Sequence, residues 1–223
     1  MLNDLKPLID KSLKRSFGSG SIILYQSEIP RSAYVLTNGM VKVYSISTQG
    51  DDQIVTFHVP GEFFPSPWIF GKTSSSLFFY EALEDCEVAV LPKSDLINFM
   101  TSTKPLMSSL LNYFVTSQAA SHIRVNALEQ PKARDKLTYT LYYLCQLYGT
   151  IAKDKHDSVI PINLTHQSLA SLVGLTRETT AMEMSKMKKQ GIISYKKQRY
   201  SVNLDRLLEV IGEESFKGVS IAD

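Results

Sequence analysis

Arg177 and Glu178 open a run whose residue types suit the reading of DNA base edges. An arginine can place two hydrogen bonds on O6 and N7 of guanine, and a glutamate can accept one from the cytosine amine. Counted in helical turns, Ala181, Met182, Ser185, Lys186 and Lys189 follow on the same side. Ala181 permits close approach, and Met182 offers only apolar contact, for example to a thymine methyl. The lysines, Lys188 among them, suit phosphates, which position a protein without specifying sequence. Between positions 174 and 206 there are 8 Lys/Arg against 3 Asp/Glu, whereas residues 1–130 hold 10 against 12. A basic stripe on a small element is an electrostatic footprint for phosphate; a merely solvated charged face is the alternative.

Such residues work only if a helix holds them outward. Thr165 is expected to cap a helix over His166–Val173, with Leu169, Leu172 and Val173 inward. Gly174 supplies the left-handed residue that turns the chain, and Thr176 caps a second helix from Arg177 to about Gln190. Thr180, Met184 and Met187, at i, i+4 and i+7, form its buried stripe. Gly191-Ile-Ile193 ends it, and Ser194–Val202 follows as a hairpin with Lys196, Lys197 and Arg199 near the tip, placed to lie along the backbone. This is the layout of a helix-turn-helix whose second helix enters the major groove. The candidate DNA-binding set is therefore Thr176, Arg177, Glu178, Ala181, Met182, Ser185, Lys186, Lys189, Lys196, Lys197 and Arg199. The same module used for protein contacts, in a sensor or adaptor, is the competing reading.

Upstream, an amphipathic helix over Leu2–Leu13 leads to a Gly18-Ser-Gly20 turn. From Ser21 to Leu91, short β-branched or aromatic runs alternate between turn signals such as Asn38-Gly39, Gly50-Asp-Asp52 and Pro60-Gly61, as in a sandwich or jelly-roll barrel. A short helix follows over Lys93–Met100 with Ser94 as its cap, then a long one over Lys104–Glu129. The long helix is apolar on more than one side, which calls for two packing surfaces; one can be its own sheet and the other a second copy of the chain, with a long core helix in a monomer as the alternative. Two seams compete, Leu111-Val115-Gln118-His122-Val125 and Leu110-Phe114-Ser117-Ser121-Arg124-Leu128. Gln130-Pro131 breaks the helix; Ala133–Tyr148 forms another, and Val159–Ile162 a short strand. The fold class expected is α+β: a β-roll over 1–103, a dimerisation helix over 104–130 and a winged helix-turn-helix over 131–223.

Composition narrows the function classes. No run of 18 apolar residues exists, and the start MLNDLKPLIDKSLKR has early acids and no apolar core of a signal peptide, so no membrane contact and a cytoplasmic location are expected. Cys86 and Cys145 are far apart, and His58, His122, His156 and His166 are scattered. No metal site, no cofactor and no catalytic residue is expected from that spacing; a jelly-roll metalloenzyme would need several His and a carboxylate converging on one open position.

Leu36-Thr-Asn-Gly-Met-Val-Lys-Val43, Pro60-Gly-Glu-Phe63, Cys86-Glu-Val-Ala-Val-Leu91 and Val173-Gly-Leu-Thr-Arg-Glu-Thr179 together resemble the Crp/Fnr family of bacterial transcription regulators. The resemblance implies a cyclic-nucleotide-type β-roll, a dimerisation helix, a palindromic double-stranded DNA site and RNA polymerase as a further partner. It also shows departures. The family's nucleotide-binding members hold the phosphate with a Gly-Glu pair and an Arg-Ser pair, which fall here on Pro65-Ser66 and Ser76-Leu77. Without that arginine a buried phosphate loses its charge-assisted bonds, which argues against cyclic AMP. The clustered N-terminal cysteines of its iron–sulfur members are missing as well. Met182 stands where the catabolite-activator type has a second arginine. Phe63, Phe64, Trp68, Phe70 and Phe79, with Ser121 and His122 on the long helix, form a candidate pocket for a small apolar or aromatic effector; a filled core with no ligand is the alternative.

Overall fold

Alternation of apolar and polar residues decides the first half of the chain. In the computed structural model, which describes residues 2–151, 157–196 and 199–212, α1 (Leu2–Ile9) precedes β1 (Leu13–Phe17), β2 (Ile22–Leu24), β3 (Ala33–Asn38), β4 (Val41–Ile46), β5 (Asp52–His58), β6 (Phe63–Phe64), the short α2 (Ser66–Ile69), β7 (Phe79–Ala82) and β8 (Cys86–Leu91). These strands form two antiparallel four-stranded sheets, ordered β1-β8-β3-β6 and β2-β7-β4-β5. Their inner faces meet in one apolar cluster built from Leu24, Tyr34, Leu36, Val41, Val43, Phe64, Tyr80 and Val88. The first sheet buries its other face too: Ala33, Val35, Phe63, Ala89 and Leu91 pack on Leu5 and Ile9 of α1, Leu96 and Met100 of α3 (Lys93–Ser102), and Leu106 and Leu110 of α4 (Lys104–Glu129). Burial on both faces explains why β3 and β8 read as nearly continuous apolar runs. At the β3–β4 turn Gly39 has φ +86°, and an added Cβ would meet the Asp85 carbonyl and the Cys86 sulfur, so only glycine fits.

After α4 come α5 (Ala133–Tyr148), β9 (Thr150–Ile151), β10 (Asp157–Ile160), α6 (His166–Val173), α7 (Arg177–Lys189), β11 (Ile193–Lys196), β12 (Arg199–Asn203) and α8 (Leu204–Ile211). Their sheet is ordered β11-β12-β10-β9, with α6 and α7 against α5. The chain divides into two compact units, Met1–Tyr113 and Phe114–Asp223, so the division falls inside α4.

The α+β organisation follows the expected order, with local differences. The first helix stops at Ile9, and Leu13–Phe17 is instead an edge strand, paired from Leu13–Val90 to Phe17–Cys86. Its side chains are mostly exposed, so nothing in its own pattern marks it as a strand; the partner β8 imposes it. The cap of α3 is Pro92 rather than Ser94, whose hydroxyl donates to Asp95 Oδ1 at 3.1 Å. The strand expected at Val159–Ile162 lies two residues earlier, because Pro161 has no N–H to continue the ladder. β9 and α8 are additional.

Candidate nucleic-acid interface

Local hydrogen bonds build the reading module. Thr165 Oγ1 accepts from Ser168 N at 3.0 Å, starting α6, and Gly174 ends it in the left-handed conformation (φ 66°, ψ 41°). Thr176 Oγ1 accepts from Thr179 N at 3.2 Å and starts α7. Thr180, Met184 and Met187 are fully buried, the stripe that periodicity requires. The opposite face carries Arg177, Glu178, Met182, Ser185, Lys186 and Lys189 in solvent, Ala181 half-buried, and Thr176 exposed at its start. Most of the sequence-identified set thus lies along one side of one helix.

The far end of α7 is clamped. Arg134 Nη2 donates to Gln190 Oε1 at 2.6 Å, and Arg206 Nη1 to the Gln190 carbonyl at 3.0 Å. The second bond satisfies a carbonyl that the end of the helix leaves open. Lys186, Lys188 and Lys189 sit in the last turn, where the helix dipole favours cations. Two of these lysines already have intramolecular partners. Lys186 Nζ lies 2.7 Å from Glu183 Oε1, a carboxylate on the buried side of the helix. Lys188 Nζ lies 4.3 Å from the centroid of the Tyr195 ring. Lys189 is exposed.

β11 and β12 form the wing, paired from Ile193–Val202 to Lys196–Arg199. Arg199 is exposed, its Nε 3.4 Å from Asn163 Oδ1. The backbone of Lys196 pairs in β11, whereas Lys197 lies outside the described residues. An open groove of about 510 Å³ connects wing and helices, lined by Leu164, Thr165, His166, Gln167, Arg177, Tyr195 and Tyr200. Thr165, His166, Gln167 and Tyr195 were not in the sequence-identified set. For Thr165, His166 and Gln167 the signal was present, since residues at a capped helix start carry unsatisfied N–H groups suited to anions, whereas Tyr195 is brought there by β11.

The roll distributes its aromatic residues differently from the expected pocket. Phe63 and Phe64 are neighbours in β6, so the pleat sends them to opposite faces of the sheet. Phe64 enters the roll interior; Phe63 packs outward with Trp68 and Phe70 beside the helices. Phe79 stacks on Tyr44 at 5.1 Å and meets Tyr25 edge-on at 6.2 Å. Ser121 and His122 are both exposed on α4, and the Ser121 hydroxyl donates to the Ser117 carbonyl at 2.8 Å. The roll's aromatic residues are therefore divided: Phe63, Trp68 and Phe70 share one cluster, Phe64 belongs to another, and Phe79 pairs with two tyrosines.

Inside the roll, Phe64 stacks with Tyr80 at 4.9 Å, with Tyr34 at 5.4 Å and with His58 at 5.4 Å. His58 Nδ1 lies 2.6 Å from Glu62 Oε2, which also accepts from Val59 N at 3.2 Å. His58 thus has a carboxylate partner, on the turn that follows its own strand. Burial raises the Tyr80 phenol. Ser76, on one of the two positions where an arginine-containing pair was sought, is buried and donates to the Phe78 carbonyl at 2.7 Å. Both cysteines are buried thiols; burial pushes Cys145 up to about 12 and raises Cys86, whose sulfur donates to the Met40 carbonyl. Among the described residues no group of three or more His, Cys, Asp or Glu converges to hold a metal ion, and no helix is long and apolar enough to cross a membrane.

Two family models match this chain: a cyclic nucleotide-binding domain over residues 14–103 and a Crp-like helix-turn-helix domain over residues 136–210. The chain is 23% identical over 218 residues to an anaerobic regulatory protein of Aggregatibacter actinomycetemcomitans, covering 97% of this chain and 82% of that one. It is 28% identical over 207 residues to the transcriptional regulator ArcR of Staphylococcus epidermidis, covering 90% and 86%. The structure of FixK2 from Bradyrhizobium japonicum superimposes with a TM-score of 0.71 at 19% identity, covering 89% of this chain and 96% of that one, a likeness of fold.

Proposed function

This chain belongs to the Crp/Fnr family of transcription regulators, and from that membership we propose that it is a homodimer reading a palindromic double-stranded DNA site with the exposed face of α7. The observation that carries the reading is the one-sided placement of Arg177, Glu178, Ala181, Met182, Ser185 and Lys189 on a helix held at both ends. Arg177 and Glu178 specify bases. Lys189, Arg199 and the wing lysines meet phosphates, and Lys186 joins them by exchanging Glu183 for phosphate. At a promoter the bound dimer acts on RNA polymerase.

The seam for the second copy is on α4. Leu111, Val115, Gln118, His122 and Val125 are exposed throughout, whereas the competing seam starts at buried Leu110 and has half-buried Ser117 and Arg124 beside exposed Phe114, Ser121 and Leu128. Exposed Leu111, Val115 and Val125 in a row of heptad spacing favour a partner helix over solvent. In such a dimer the two α7 helices enter successive major grooves about one helical turn apart. The ring stack around Phe64, with no cation at positions 65, 66, 76 or 77, supports binding without a cyclic nucleotide.

Selection of bound duplexes from a random pool by purified protein without added ligand tests this. A palindrome with a G–C pair in each half-site is expected; salt-sensitive retention with no enriched sequence would sink it. On the selected site, Lys189→Ala is expected to weaken binding uniformly across sequences and to reduce the salt slope by about 1 for each phosphate contact removed. Anisotropy titrations at several salt concentrations measure both effects. A change confined to one base position would move Lys189 into the specifying set.

A further inference from the structure

One charged side chain of α4 turns away from the exposed apolar seam and into the reading module. Arg124 Nη2 donates to the carbonyl of Leu172 at 3.2 Å, and its guanidinium lies 5.9 Å from the centroid of the Tyr143 ring. Leu172 is in the last turn of α6, where helical carbonyls lack an N–H further along the chain, two residues before the Gly174 turn. Tyr143 is a buried residue of α5. A single side chain thus joins α4, α5 and α6, the helix it starts from and two that support α7.

The backbone alone does not fix that geometry. α4 and α5 are joined through Gln130-Pro131-Lys132, and Pro131 has no N–H with which to continue the helix. Another tie across the bend is Lys136 Nζ to the Leu128 carbonyl at 2.7 Å, close to the pivot. Arg124 acts seven residues before Pro131, roughly 10 Å along the helix at 1.5 Å per residue. The longer lever resists a change of angle more effectively than a tie at the hinge.

We propose that Arg124 is a positioning residue for DNA recognition: a strut that fixes the angle between α4 and the reading module, and thereby the half-site spacing that the dimer accepts. This rests on the dimeric reading above. The guanidinium suits the role, because it donates to a carbonyl while its flat face lies near an aromatic ring. A strut of this kind need not touch DNA to affect which sites are bound.

The test uses the full chain, Arg124→Leu and Arg124→Lys, on duplexes carrying the selected half-sites with the spacing changed by up to about two base pairs, and on a single half-site. Each base pair added rotates one half-site by roughly 35°. Wild-type affinity is expected to fall steeply on either side of one spacing. In Arg124→Leu the penalty for a one-base-pair change should shrink by on the order of tenfold, the weight of one hydrogen bond from a charged donor. Arg124→Lys, which keeps a cation without the planar fork, should fall between. Single half-site binding should stay within about threefold in all three, a readout that general loss of folding would move. A wild-type spacing profile in Arg124→Leu, or equal losses on single and paired half-sites, would overturn the strut. A wild type indifferent to spacing would overturn the dimeric reading itself, and the strut's effect with it; sedimentation of the free protein separates that result from failure of the strut alone.

Discussion

Arg177→Ala is expected to cost each half-site ~1–3 kcal/mol and to relax discrimination at one base pair, with twice that loss on a symmetric site bound by both subunits. Arg177 is the first residue of α7 and lies in solvent beside the open groove, where its fork can reach a guanine edge. Helix stability barely enters, because the cap is made by the Thr176 hydroxyl and the buried stripe begins at Thr180. The measurement is a set of titrations on the selected palindrome and its single-base variants. Loss on the parent site with every variant now bound alike at one position supports a base contact. Uniform loss with discrimination intact would assign Arg177 to phosphate and leave Glu178 as the remaining charged base reader.

Phe64→Ala is expected to destabilise the roll by ~3–5 kcal/mol, the range for removing a fully buried phenyl ring. Phe64 is 0% exposed and stacks with three rings at 4.9–5.4 Å, so its loss removes aromatic contacts and leaves a void that the neighbours close only partly. Trp68 is the sole tryptophan and sits in the same unit, so its fluorescence in urea follows the roll without a label. The same variant weighs a filled interior against an open one. A loss below about 1 kcal/mol would mean that the ring borders space already empty, as an effector pocket requires. A large loss, partly restored by benzene at high concentration, identifies the ring as core and the new void as dry.

The reading module was the most legible part of the sequence, because its geometry is set by interactions a few residues long. The caps at Thr165 and Thr176 each bond to an N–H three positions on, and Gly174 answers a local steric demand. The stripe at 180, 184 and 187 needs only the helical period. What escaped depends on distant partners. β1 has exposed side chains and is a strand only because β8 offers it an edge. The pairing of His58 with Glu62 depends on the turn between β5 and β6, and the two-residue β6 is too short to show an alternation of its own. Phe63 and Phe64 were grouped by composition, whereas the pleat separates them. α8 was a different kind of omission: Asn203 caps it, accepting from Arg206 N at 3.0 Å, and Gly212 ends it with φ 72°, both local signals. Its Leu207 is fully buried, the apolar face that joins this helix to the unit.

The edge strand near the start of the chain has a practical consequence for handling the protein. β8 lies between β1 and β3, so deleting residues up to Phe17 would leave one whole side of Cys86–Leu91 with unmet backbone donors and acceptors. That segment, Cys-Glu-Val-Ala-Val-Leu, carries a single charge, and such an uncovered ribbon is a template for sticking to another molecule. Lys14 and Arg15, exposed in β1, are the gatekeepers of the intact edge. Shortening the chain at its amino end would therefore affect solubility before it affected recognition of DNA.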